Sequence, residues 1–184
     1  MRGNVAHVQH VTKSPIPQLT LVLGGARSGK SRYAESLIAA LPQPWIYVAT
    51  AEAGDAEMAE RIAAHQTRRG SGWRTIEAPH DVASVLASDG GTILIDCLTL
   101  WLSNRMLAGA DMDAEIAGLE TALDVHLSPA VLVSNEVGLG IVPDNELARR
   151  FRDLQGRLNQ RIVARADRVV LMVAGLPIVV KDAT

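Results

Sequence analysis

This sequence is poor in aromatic residues, in cysteine and in net charge, and each scarcity removes a class of function. Aromatic residues make up 3% of the 184 positions, too few for the base-stacking platforms of a protein that handles single-stranded nucleic acid. With 18 Lys and Arg against 20 Asp and Glu, the formal net charge is −2, whereas a nucleic-acid scaffold carries a basic domain. The one cysteine, Cys97 in an apolar run, excludes an intramolecular disulfide framework and suits a reducing cytoplasm. The longest nearly apolar run, Val169 to Val180, is interrupted by Gly175 and Pro177 and is too short to span a bilayer. Residues 1–17 mix basic and polar side chains without an apolar centre, so they read as a loose tail and not as a secretory signal. Residues 18–184 suffice for a single domain with a substantial core, and no repeat divides them. The partners to expect are small molecules and other subunits, with no nucleic acid and no membrane segment.

What the sequence does contain is concentrated in Gly24-Gly25-Ala26-Arg27-Ser28-Gly29-Lys30-Ser31, a G-x-x-x-x-G-K-[ST] run between an apolar strand, 19–23, and a helix, 30–41, that Pro42 and Pro44 stop. Glycines at both ends let the backbone curl until successive N–H groups face a polyphosphate, and the following helix aims its positive end at the same place. Lys30 reaches the outer phosphates. Ser31 supplies a hydroxyl for Mg²⁺, which prefers few protein ligands and keeps phosphates and water in its shell.

Beyond this loop, strands and helices alternate. Continuous apolar runs at 45–49, 92–96 and 131–134 and the run 168–173 have the length and composition of buried parallel strands. An alternating strand is expected at 73–77, a turn at 175–177 and an antiparallel edge strand at 178–181. Helices are expected at 55–69, 81–87, 98–107 and 113–126. A further helix, capped by Asp144, carries Leu147, Phe151, Leu154, Leu158 and Ile162 at spacings of four, three, four and four. This order predicts a three-layer α/β fold around a mostly parallel sheet. Ligands of such sheets bind beyond the strand C-terminal ends, so Gly24 to Ser31, Thr50, Asp96 and Asn135-Glu136 should share one rim. Asp96, ending an apolar strand downstream of the phosphate loop, is the candidate second metal-site residue.

Two stretches ask for more than nucleotide binding. On the helix predicted at 55–69, Arg61, His65, Arg68 and Arg69 share a face, which would attract phosphate and keep the His65 imidazole neutral and nucleophilic. The other stretch is Asn135-Glu136-Val137-Gly138-Leu139-Gly140-Ile141-Val142-Pro143.

Together, the phosphate loop, Tyr47-Val48-Ala49-Thr50, Met58-x-x-Arg61-Ile62-x-x-His65, Trp73-Arg74-Thr75, Val133 to Pro143 and Arg157-Leu158-Asn159-Gln160-Arg161 resemble the bifunctional adenosylcobinamide kinase / adenosylcobinamide-phosphate guanylyltransferase family of cobalamin synthesis. The likeness runs in unbroken order from Leu19 to Lys181 and excludes the tail. It implies a RecA-like P-loop NTPase fold and two reactions. First, a corrinoid alcohol, adenosylcobinamide, takes the terminal phosphoryl group of ATP or GTP. The resulting phosphate then receives GMP from GTP through a guanylylated His65, releasing pyrophosphate. By the same resemblance Lys30 and His65 are catalytic, and the nucleotide is contacted by Gly24 to Ser31, by Ala49, Thr50 and Ala51, by Gln66, Thr67, Arg68 and Arg69, by Glu77, and by Asp96 and Leu98. Ser31 and Asp96 are the metal residues, and the assembly is a homo-oligomer, a trimer. Glu77 is a carboxylate suited to the guanine N1–H and amino group. Three other readings stay open on the residues alone: a simple kinase in which His65 is inert, an ATP-driven nucleic-acid protein, and a nucleotide-binding regulatory subunit.

Overall fold

The computed structural model describes residues 17–52 and 70–183. The predicted helix at 55–69, with Arg61 and His65 to Arg69, lies outside the described residues.

Five described strands are parallel neighbours because their sequences are apolar on both faces. They are β1 (Leu19–Gly24), β2 (Trp45–Ala49), β4 (Thr92–Asp96), β5 (Ala130–Asn135) and β6 (Arg168–Val173). The more polar β3 (Trp73–Glu77) pairs parallel with β2 at one edge, and β7 (Leu176–Asp182) pairs antiparallel with β6 at the other. The order across the sheet is β3-β2-β4-β5-β1-β6-β7.

Alternation along the strands divides the core into two layers. Leu21, Val48, Ile93, Ile95 and Leu132 face the layer covered by α2 (Val82–Ser88), α3 (Leu98–Leu107), α4 (Met112–Val125) and α5 (Glu146–Arg165), which contribute Leu86, Trp101, Leu119 and Leu158. Val22, Tyr47, Leu94, Val131 and Val133 face the opposite layer, where α1 (Lys30–Ala39) brings Ala34 and Ile38. The predicted three-layer fold is therefore present.

Two local expectations are corrected. Asn145, not Asp144, caps α5: its side chain accepts the Ala148 N–H at 2.8 Å, three residues on, where a cap must bond. The turn before β7 is Ala174-Gly175 instead of 175–177. Both residues have positive φ (49° and 85°), as a tight two-residue hairpin requires. Pro177 is then free to sit within the edge strand, where a missing N–H is tolerated.

The arginines on α5 have unequal roles. Arg149 donates to the carbonyls of Pro143 and Asp144, whereas Arg161 and Arg165 both pair with buried Glu120 of α4. Chiefly through the Arg161 hydrogen bond, this holds the Glu120 carboxyl below its ordinary value of 4.5. A depressed carboxylate adds stability that is full above the ordinary value and is lost as pH falls through the folded one. Glu120→Gln is expected to lower stability at pH 7 by about 2 kcal/mol, less than a fully buried pair would cost because both arginines can turn to water. It should also flatten the acid limb of a melting-temperature profile from pH 7 to 3.

Candidate active site

The phosphate loop is built by backbone exclusion. Gly24 (φ 151°) closes β1 where an added Cβ would lie 2.6 Å from the Met172 carbonyl oxygen, and Gly29 (φ 94°) stands in the left-handed region as the N-cap of α1. Side-chain oxygens cap α2, α4 and α5 through Asp81, Asp111 and Asn145. No side chain among the described residues caps α1, which leaves its first-turn N–H groups to an anion. The loop is braced from behind, Gly175 N–H donating to the Ser28 carbonyl at 3.0 Å. Inside it the Ser28 hydroxyl is buried with no hydrogen-bond partner among the described residues. Lys30 is buried and folds back to donate from Nζ to the Gly25 carbonyl at 2.6 Å. Desolvation lowers the pKa of its ammonium, against the raising influence of Cys97 and Asp96. A buried hydroxyl without a partner and a desolvated cation at an uncapped helix start make an environment that favours phosphate.

Asp96 ends β4 on the same rim, half-buried, and accepts a hydrogen bond from the Tyr47 hydroxyl at 3.0 Å. Its junction with Cys97, a cis peptide, is latched by fully buried Thr50. The Thr50 hydroxyl donates to the Cys97 carbonyl and accepts the Cys97 N–H, both at 2.7 Å. Asn104 of α3 in turn donates to the carbonyls of Thr50 and Pro79. Burial and the neighbouring Asp96 push the Cys97 thiol up to about 11, which makes it an inert packing residue at neutral pH.

The predicted rim residues are brought together in part. Gly24 to Ser31, Ala49 to Ala51, Glu77 and Asp96 all lie at C-terminal strand ends of one sheet, with Ala49 in register with both Asp96 and Glu77. Thr50 and Leu98 point inward: the Thr50 hydroxyl is engaged with Cys97, and Leu98 is fully buried in the core. Gln66, Thr67, Arg68 and Arg69 fall outside the described residues, as does His65.

A phosphate loop of this pattern is shared by many nucleotide-binding families, and the rest of the sequence sets this chain among them. The family model described as "Cobinamide kinase / cobinamide phosphate guanyltransferase" matches residues 20–180. The chain belongs to that family. It is accordingly a cobalamin-biosynthesis enzyme of the kinase and guanyltransferase class. Among curated relatives it is 49% identical over 166 residues to a bifunctional adenosylcobalamin biosynthesis protein, CobP, of Pseudomonas aeruginosa, a match covering 88% of this chain and 96% of the relative. It is 44% identical over 181 residues to CobU of Salmonella typhimurium, covering 89% of this chain and 99% of the relative. Solved structures share the fold alone. The flagellar accessory protein FlaH from Methanocaldococcus jannaschii aligns with a TM-score of 0.51 at 13% identity, covering 91% of this chain and 80% of that one.

Against the family's two activities, several contacts at the site stand out that the sequence does not foretell. Tyr47 holds Asp96, and Thr99 accepts the Asn135 N–H at 2.8 Å. Ser134, Gln155 and Asn159 form a buried polar triangle behind Asn135. The last contact has a signal in spacing: Gln155 and Asn159 are four apart, each directly following a buried leucine, so a polar pair travels with the apolar stripe of α5.

Proposed function

We propose that this family member phosphorylates adenosylcobinamide with ATP or GTP and then transfers GMP from GTP to the phosphate through a guanylylated His65. The observation that carries the reading is the buried Lys30 and a Ser28 hydroxyl without a partner among the described residues, at the start of α1, which no described side chain caps, on the same rim as Asp96. A nucleoside triphosphate would lie across the strand ends, its phosphates at β1 and its base toward β2 and β3. Lys30 and the loop N–H groups bind and orient the phosphates. Ser31 and Asp96, one hydroxyl and one carboxylate, fit the sparse oxygen set that Mg²⁺ takes when phosphates and water complete its shell. When bound, that ion neutralises charge on the transferring phosphoryl group.

In the second reaction the neutral His65 imidazole attacks the α-phosphorus of GTP and pyrophosphate leaves. The corrinoid phosphate then displaces His65, giving adenosyl-GDP-cobinamide. Arg61, Arg68 and Arg69 supply the positive charge that both displacements need. This dependence on His65 rests on the sequence.

Glu77 ends the edge strand beside Ala49 and is exposed. A carboxylate there accepts two hydrogen bonds that guanine offers and adenine lacks. Glu77→Gln is expected to weaken GTP binding about 10–100-fold while ATP binding holds, given the strength of hydrogen bonds to charged groups; competition titrations check this. The proposed assembly is a trimer in the cytoplasm, and sedimentation velocity tests its size. No helix among the described residues is long and apolar enough to cross a membrane.

The direct test is product analysis. Purified protein given adenosylcobinamide, ATP and Mg²⁺ should form the corrinoid phosphate, and added GTP should convert it to the GDP-linked product. Formation of neither would refute the reading.

A further inference from the structure

The kinase reaction needs a group to take the proton from the attacking hydroxyl, and the strand order discriminates among the carboxylates at the rim. Neighbouring strands lie about 4.8 Å apart. Counting from β1, which carries the phosphate loop, Glu77 on β3 is four strands away, or about 19 Å. Glu52, just beyond β2, is three strands away and is already paired with His80 at 2.9 Å. Asp96, two strands away, receives the Tyr47 hydroxyl and is the residue suited to the metal.

Glu136 follows β5, the strand directly between β1 and β4. Its backbone N–H donates to the carbonyl of Gly24, the first residue of the phosphate loop, at 3.1 Å. The peptide groups around it are fixed from three elements. Asn135 N–H donates to Thr99 of α3 at 2.8 Å, and the Asn135 carbonyl accepts from Asn159 of α5 at 3.1 Å. Asn159 is itself held by buried Ser134 and Gln155. The half-buried carboxylate accepts the Gly138 N–H through Oε1 at 2.5 Å, and Oε2 has no partner among the described residues. A carboxylate with one oxygen anchored and its backbone locked to the phosphate loop is preorganised for work beside the transferring phosphoryl group.

We propose that Glu136 is a further catalytic residue of the phosphoryl-transfer step, accepting through Oε2 the proton of the attacking corrinoid hydroxyl, with Thr99 and Asn159 as its positioning residues. The proposal rests on the kinase reading above. As the hydroxyl O–H bond breaks and its proton passes to Glu136, an oxygen–phosphorus bond forms at the γ-phosphorus. The bond from that phosphorus to the β–γ bridging oxygen breaks, the nucleoside diphosphate leaves, and Glu136 returns its proton to water. Guanylylation of His65 needs no such base, because a neutral imidazole brings its own lone pair. The two activities should therefore separate at this residue.

Glu136→Gln keeps the oxygen that accepts from Gly138 and so preserves the loop while removing the base. In the full-length protein, single-turnover transfer of γ-³²P from ATP to cobinamide is expected to fall about 10²–10⁴-fold in the variant. Protein labelling by α-³²P GTP and nucleotide affinity should stay within about threefold of wild type. Asn159→Ala should lower transfer in the same selective way, less steeply. Unchanged transfer by an E136Q variant, or an equal fall in transfer, labelling and affinity, would overturn the assignment alone. A wild-type protein that transfers no γ-phosphoryl group would overturn the kinase reading and the assignment with it.

Discussion

Replacing Lys30 with Met is expected to reduce both γ-phosphoryl transfer and guanylyl transfer on the order of 10³-fold, the loss typical when one preorganised donor to a developing anion is removed. Lys30 is buried and spans from the start of α1 back to the Gly25 carbonyl, so its charge sits inside the curl of the loop and not in solvent. Both reactions start from a nucleoside triphosphate whose phosphates Lys30 is proposed to bind, so both should fall together. Stability should move differently. Desolvation is the largest influence on the Lys30 ammonium and works against its charge, so an apolar side chain of similar length removes a cost of folding. The expected result is a melting temperature equal to or above that of wild type alongside a nearly inactive enzyme. An inactive variant that also melts much earlier would instead make Lys30 a structural residue. Single-turnover assays paired with calorimetry distinguish the two.

His65→Ala is expected to remove guanylyl transfer by more than about 10⁴-fold, the scale on which loss of a covalent nucleophile is felt. Phosphorylation of the corrinoid should stay near wild type. Ala63 and Ala64 precede His65 and Gln66 follows it, so no adjacent imidazole can substitute. The simple-kinase alternative predicts no change in any activity.

The phosphate loop and the sheet were legible in the sequence because their signals are local. Glycines at 24 and 29 around a Lys-Ser pair, and five apolar runs of strand length, need no knowledge of distant residues. The rest of the site depends on contacts between residues far apart in the chain. Thr50 reads as a rim residue, but its hydroxyl turns inward to both backbone polar groups of Cys97, 47 positions later. Leu98 matches a nucleotide-contact position by resemblance while its side chain packs in the core. Tyr47 reads only as part of an apolar strand until pairing with β4 brings its hydroxyl to Asp96. Glu136 lies in a stretch that nucleotide binding does not explain, and only the strand order makes it, among the described residues, the strand-end carboxylate nearest the phosphate loop. At the start of α5, adjacent Asp144 and Asn145 are both competent caps. The helix start, which the sequence pattern does not set to one residue, decided for Asn145.

Guanylyl transfer is proposed to pass through His65, and phosphoryl transfer to proceed without it. The measurement is incubation of the full-length protein, wild type and His65→Ala, with α-³²P GTP and Mg²⁺, following the label on each. Wild type should carry protein-bound label that is released by acid, resists alkali, maps to the peptide containing His65 and is absent from the variant. Wild-type protein that phosphorylates cobinamide yet takes up no label, or label that persists in His65→Ala, would contradict it.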